Sequence, residues 1–423
     1  MSLESENNLG PLQAGQTVVV VGGGPAGTGC AIMLRHLAIG KGMPLRVMLF
    51  EDKDFSVQQN VCVGVLSPPF QHLLGQLQLS LPTGIVQRQI KGYTLHSNRQ
   101  SVFLAEKSDG GQPTVVADRG DLDSFLLESV GQAGGSVIKE TVVDFQTSPD
   151  EVLVVGSGGT KIAADVLVGA FGLDRDSLNI FQARVPGFRP PDTIKSILTE
   201  IPVDQRTVTA RMQDTIHALL VDDVPGIEFG AFTPKRDRIT VNIAGENVDD
   251  EDLDAFLKLP WSRKLIPEAT AKEPRLYNIF PSKPARNFYR DRVVTIGNTA
   301  GLLRPLKGKG INTGLITGIE AARTMIEVGI SNAAFDEFYR RCHALTSEFT
   351  YGVFLRRLYH LSLKLNVMDP VLALAQHEPL LYRAFYDMIS GEGSYKDIIQ
   401  RSARPSLAAK IVMAIARYQV LRR

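Results

Sequence analysis

Two glycine-rich segments carry the residues whose types and spacing can do chemistry. Gly22-Gly-Gly-Pro-Ala-Gly27 satisfies G-x-G-x-x-G, with Gly22, Gly24 and Gly27 at the fixed positions. Where such a loop joins a strand to a helix, its glycines permit a tight turn, close backbone approach to a pyrophosphate and close helix packing. The helix that follows adds unpaired N–H groups and the positive end of its dipole. The second segment runs from Gly297 to Gly314 and contains Gly308-Lys-Gly310. A helix starting near Gly310 would aim a second set of free N–H groups at another anionic portion of a ligand.

The neighbouring residues supply the elements that such loops need. Val18 to Val21 form a β-branched run that stops at Gly22, Ala26 to Ala38 carry apolar residues at helical spacing, and Leu45 to Phe50 are again a short apolar run. This is one βαβ unit, so a parallel sheet with a right-handed crossover is expected. Glu51 closes the second strand about two dozen residues after Gly27, where an acid accepts from ribose hydroxyls. It favours a free 2′-hydroxyl, hence the adenosine of NAD or FAD over that of NADP.

Downstream, Gln87–Leu104 and Val185–Ala244 alternate as in an antiparallel sheet, and Asp121–Gln132 reads as helix. Val152–Val155 and Val166–Val168 read as strands returning to the first unit, Val293–Ile296 as another strand, and helical patterns continue from there to the C-terminus.

With these residues in place, the chain resembles the FAD-dependent oxidoreductases of the aromatic-hydroxylase and geranylgeranyl-reductase superfamily. The three motifs are the first glycine loop, Arg119-Gly-Asp-Leu-Asp123 ahead of a helix, and the Gly297–Gly314 segment, in that order. The resemblance implies an α/β fold: a Rossmann-type FAD-binding domain, an inserted mainly antiparallel β substrate domain and a helical C-terminal portion. The boundaries that follow are a flexible arm at 1–16, an FAD domain at 17–85, 105–182 and 285–330, a substrate domain at 86–104 and 183–284, and a helical region at 331–423. It also implies that Gly22, Gly24, Pro25, Ala26 and Gly27 hold the pyrophosphate, that Glu51 with Asp52 takes the adenine ribose, and that Arg119 meets the phosphates or ribityl chain. Gly297, Asn298, Gly310, Ile311 and Asn312 would hold the ribityl chain and the pyrimidine edge of the flavin. Arg119 has an alternative reading as a surface ion-pair partner of Asp121 or Asp123.

The chain departs from the superfamily at three places. Asn298 stands where an aspartate is usual, and Phe171 in Gly169-Ala-Phe-Gly-Leu-Asp174 replaces an aspartate that contacts flavin and NADPH in the hydroxylases. The halogenase tryptophan motif is missing, Trp261 being the single tryptophan. Asn60-Val-Cys-Val-Gly-Val-Leu66 and Phe229-Gly-Ala-Phe-Thr-Pro234 look closer to the geranylgeranyl-reductase branch, the second with Thr233 for a phenylalanine. The expected activity is hydride transfer through flavin N5 to or from a hydrophobic, isoprenoid or lipid-like substrate, with NAD(P)H, another reductant or an electron-donor protein supplying electrons. A monooxygenase and an electron-transfer flavoprotein are the alternatives. Cys62 is either a small buried hydrophobe or a group touching flavin or substrate. Lys307 and Lys309, near Arg304, either attract an anion beside the flavin or are solvated.

Composition narrows the class. The 423 residues carry 46 basic and 45 acidic side chains, which argues against a surface built for nucleic acid. No apolar run is long enough to span a membrane, and the N-terminus lacks the order of a secretory signal. Three dispersed cysteines fit a reducing, cytoplasmic setting. Seven scattered histidines show no metal-ligand spacing, so no metal is expected. Arg401 to Arg423 holds six basic residues and no acid, with Leu407, Ile411, Ile415, Tyr418 and Leu421 at helical spacing. That helix either rests on an anionic membrane surface or docks on the protein's own core.

Overall fold

The structure, a computed structural model, describes residues 9–58, 60–105, 112–220, 224, 226–266, 273–304 and 309–421. The strand β1 (Thr17–Val21), the helix α1 (Pro25–Gly40) and the strand β2 (Arg46–Phe50) form the expected unit, with the two strands paired in parallel. They belong to a six-stranded sheet whose order is Tyr289–Arg290, Val293–Thr295, Val166–Gly169, β1, β2, Ser136–Ile138. All neighbours are parallel except the two-residue edge strand. Every residue of β1 is buried, which its β-branched composition suits because both faces of this sheet are covered.

A seven-stranded sheet runs Arg275–Pro281, Thr193–Pro202, Arg238–Gly245, Phe229–Pro234, Thr215–Leu219, Gly92–His96, Ser101–Ala105. It is antiparallel except where Thr215–Leu219 lies parallel to Gly92–His96. On one face Ile197, Phe232 and Ile243 pack with Val208, Met212 and Phe256. On the other, Tyr93, Leu95, Ile216 and Ala218 meet Leu372, Phe385 and Tyr386 of the C-terminal helices.

Several expectations need correction. Val152–Gly156 does not join the parallel sheet; it sits between Val142–Thr147 and Lys161–Ala164 in a three-stranded antiparallel sheet. Its hydrophobic run is explained by Val152 and Val154, which turn into the same core as β1. Val86–Gln89 pairs with Val115–Ala117 in another small sheet, not with the large one. Nor are residues 9–16 a loose arm: Leu12 is buried, its N–H donates to Met325 O at 2.9 Å, and Leu9 O accepts from Ile330 N–H. Residues 1–8 lie outside the described set.

From Gly297 onward all regular structure among the described residues is helical. The basic C-terminal stretch is two helices, broken at Pro405: Tyr395–Ser402 and Pro405–Leu421. In the second, Leu407 is buried, Ile411 packs on the same apolar cluster, and Tyr418 Oη donates to Asp369 Oδ2 at 2.7 Å. The inner face of that helix is thus docked on the protein itself.

Candidate functional site

At the end of β1 the first glycine loop is forced by sterics. Gly22 has φ +107°, and a Cβ there would lie 2.5 Å from Ala170 O. A Cβ on Gly27 would lie 1.9 Å from Gly22 O. Gly24 differs from both, since a Cβ there would meet nothing within 4 Å. It is the N-cap of α1, no side chain caps the helix, and Pro25 occupies the first turn. Open space in front of uncapped N–H groups is what an anion's close approach requires.

Glu51, at the end of β2, accepts from Gly23 N–H at 2.7 Å and from Lys53 N–H at 3.0 Å. Burial pushes its carboxyl above the ordinary value, against the pull of those two donors. Each oxygen retains a lone pair for a ribose hydroxyl. The Asp52 side chain is exposed beside it.

The second loop is brought to the first by a helix crossing. Gly297 has φ +60°, and a Cβ on it would lie 2.7 Å from Ala26 Cβ. The helix Gly310–Glu327 then crosses α1 at backbone contact, since a Cβ on Gly318 would stand 2.3 Å from Ala26 O and one on Gly314 3.3 Å from Ala26 N. Two helix N-termini without side-chain caps are therefore held side by side. Lys309 is the N-cap of the second, in a left-handed conformation (φ +47°).

Asn298 Oδ1 is buried and has no hydrogen-bond partner among the described residues, and it would be 3.4 Å from a Cβ on Gly310. An orphaned acceptor beside a helix N-terminus calls for a donor from a ligand, and a ribityl hydroxyl supplies one. The residues present fit FAD on these grounds. Asn298→Leu is expected to leave the apo protein as stable as the wild type, because no protein hydrogen bond to Oδ1 is lost, and to weaken FAD binding about tenfold; flavin fluorescence titration and thermal melts check both. Ile311 is buried in the core. Asn312 Nδ2 donates to Ser67 O at 2.9 Å, and its backbone N–H lies in the first turn of the helix.

Arg119 is at the first turn of the helix Arg119–Gln132, which Asp118 caps. Its guanidinium pairs with Asp123 at 2.8 Å and 2.9 Å, and this pair is buried rather than on the surface. Burial alone would lower the guanidinium's pKa, but Asp123 and the Cys62 sulfur hold it above the ordinary value. Asn60 Nδ2 also donates to Asp123, at 2.7 Å, so the Asn60–Gly64 loop is anchored on this ion pair. Cys62 is partly exposed there and accepts from Gly64 N–H. Asn278, on the edge strand of the large sheet, donates to Val61 O at 2.9 Å, tying the loop to the second sheet.

The basic residues of the second loop are hooks. Lys309 Nζ donates to Pro68 O and Gly391 O, both at 3.1 Å. Burial first, and Arg304 second, push its pKa down to about 7. Arg304 donates to Gly391 O and to Gly393 O, pairs with Glu348 at 3.0 Å and stacks on Tyr395. These bonds fasten the C-terminal helices onto the loop that begins the second N-terminus. Lys307 lies outside the described residues.

Two features escaped sequence reasoning. His96 and His217 are buried and joined, Nε2 to Nδ1, at 2.8 Å. The parallel pairing of their strands, not sequence spacing, brings them together. His217 Nε2 contacts Met212 O at 3.2 Å and Thr215 Oγ1 at 2.9 Å. A carbonyl only accepts, so His217 Nε2 carries the proton, its Nδ1 accepts from His96, and His96 Nδ1 is left as an unpaired acceptor. Trp261 packs on His96 at 4.4 Å and donates to Ser97 O, so the single tryptophan belongs to the surroundings of this pair. The second feature is an aromatic wall, in which Phe171 packs on Phe181 at 4.7 Å and Phe181 on Phe145 at 4.8 Å.

A search of protein-family models gives no match. The digeranylgeranylglycerophospholipid reductase 1 of Methanosphaera stadtmanae is 22% identical over 342 residues, 78% of this chain and 80% of that protein. Among solved structures, a geranylgeranyl bacteriochlorophyll reductase-like protein from Thermoplasma acidophilum aligns with TM-score 0.60 and 17% identity, over 95% of this chain and 96% of the other. A flavin-dependent brominase aligns with TM-score 0.68 and 15% identity, over 90% and 98%. With two N-termini at a glycine crossing and an acid at the end of β2, the chain is similar in sequence to a geranylgeranyl-lipid reductase and shares the fold of flavin-dependent enzymes.

Proposed function

We propose that the chain binds FAD across the two glycine loops and reduces carbon–carbon double bonds, or in reverse dehydrogenates the saturated bonds, of a hydrophobic, isoprenoid or lipid-like substrate. The observation that carries the reductase reading over the monooxygenase reading is Phe171. Where the hydroxylases are expected to keep a carboxylate, this chain has a ring packed into the Phe145–Phe181 wall. The relative from Methanosphaera, named as a reductase of a geranylgeranyl lipid, supports the substrate class.

When bound, FAD carries the electron pair as a hydride at N5, and the protein supplies binding, orientation and exclusion of water. In this chain the backbone N–H groups at the start of α1 would take the pyrophosphate and Glu51 the ribose. The start of the helix Gly310–Glu327 would favour negative charge on the pyrimidine edge. Asn298 would receive a ribityl hydroxyl. Arg119, neutralised by Asp123, holds the Cys62 loop in place and leaves the sulfur partly exposed.

The purified protein is expected to be yellow and to release FAD on denaturation. Reduced without oxygen, by NAD(P)H, by a donor protein or chemically, and mixed with a geranylgeranyl lipid, it should yield a product heavier by one H2 per double bond in mass spectrometry. Hydroxylated product in air would assign the chain to the monooxygenases instead. Reoxidation by quinone analogues with no change in any lipid would make it an electron-transfer flavoprotein.

A further inference from the structure

The helix Glu348–Lys364 and the residue after it present an apolar stripe that is left without a partner among the described residues. Phe354, Leu358, Leu361 and Leu365 are 54%, 51%, 51% and 60% exposed, at spacings of four, three and four residues that align them on one face. The opposite side is anchored, because Gly352 and Leu363 are buried and Tyr359 packs on the cluster under the large sheet. A soluble surface rarely keeps four large apolar side chains in line without a partner.

The charge on this face selects that partner. Arg357 and Lys364 are exposed among the apolar residues, and no acidic residue occurs from 349 to 368. The helix's one acid, Glu348, is buried against Arg304. A second copy docked symmetrically would bring cations against cations in a desolvated seam. An anionic lipid surface instead takes apolar side chains between its headgroups while its phosphates meet the cations. No helix among the described residues is long and apolar enough to cross a membrane, so the contact would lie in the plane of the surface.

We infer that the face Phe354–Leu365 is a monotopic docking surface for anionic phospholipid. The sequence left the C-terminal basic helix open to either this contact or docking on the core, and the structure docks the inner face of that helix on the core. The inference stands without the proposed substrate, since a flavoenzyme acting on a soluble molecule can still sit on a bilayer.

Flotation with vesicles decides it, using the full-length FAD-loaded protein. The wild type should float with vesicles rich in phosphatidylglycerol, and binding should fall about tenfold or more with pure phosphatidylcholine or high salt. L358D/L361D should abolish flotation while FAD content and melting temperature hold, and R357E/K364E should lose the preference for anionic vesicles. Flotation of L358D/L361D equal to wild type, or of wild type equal on both lipids, would overturn the inference. A wild-type dimer in light scattering that L358D/L361D converts to monomer would assign the face to a second copy.

Discussion

Gly24→Ala is expected to leave the apo protein folded and to cost it about a hundredfold or more in FAD affinity. The first half follows from the space around the residue. Its φ of −71° is open to any amino acid, and a Cβ there meets no protein atom within 4 Å. The loss of a glycine N-cap to alanine is worth about 1 kcal/mol or less. The second half follows from where that space lies, directly ahead of the N–H groups of α1, where the proposed binding mode brings the pyrophosphate to the backbone. Gly318→Ala is the contrasting variant. Its Cβ would press to 2.3 Å of Ala26 O, so the two helices must part. Overpacking of that kind costs about 1–3 kcal/mol, and FAD binding weakens because both N-termini move. Equilibrium dialysis with FAD and apo-protein melts separate the two. If Gly24→Ala retains wild-type affinity, the pyrophosphate does not sit there.

The His96–His217 pair should make the fold sensitive to mild acid. Burial, with His217 and then Lys264 adding to it, pushes His96 down to about 3; burial pushes His217 down to about 4, with Met212 O pulling the other way. The unfolded chain binds protons near pH 6.5, whereas the folded chain refuses them until far lower. For a depressed histidine the stability is therefore complete above the unfolded value and is lost as pH falls. By pH 5 each histidine has withdrawn about 2 kcal/mol, taking about 1.4 kcal/mol per pH unit. Urea midpoints measured between pH 7 and pH 5 should fall accordingly. His96→Gln, which keeps a donor toward His217 and cannot titrate, should remove about half of the slope. An equal slope in that variant would show that other groups carry the acid sensitivity.

The two glycine loops were legible in the sequence because their requirements are backbone ones. Gly22, Gly27 and Gly297 are required by positive φ or by atoms closer than any Cβ permits, and such needs show as glycines at fixed spacing. The alternation in Arg238–Gly245 likewise exposed a strand of the large sheet. What stayed hidden depends on which segments meet. Val152 and Val154 carry the same apolar signal whether their strand joins the parallel sheet or a hairpin over it. Lys309 and Arg304 look like solvated loop residues until Gly391 and Gly393 are placed beside them. The bond from the Asn312 amide to Ser67 O likewise needs the segment holding Ser67 placed beside the helix start. The histidine pair depends on one parallel strand pairing in an otherwise antiparallel sheet, and no local pattern encodes that.

The crossing of α1 with the helix Gly310–Glu327 has a consequence for the order of assembly. Its two halves come from the start of the chain and from beyond its middle, with the whole large sheet synthesised between them. A ribosome-bound fragment ending before Gly310 can present the first glycine loop but not the second N-terminus. Such contacts of large sequence separation form late, because the intervening chain must be closed into a loop first. Capture of the flavin would therefore be delayed until late in synthesis, and FAD supplied to arrested nascent chains should begin to bind only once the helix after Lys309 has emerged.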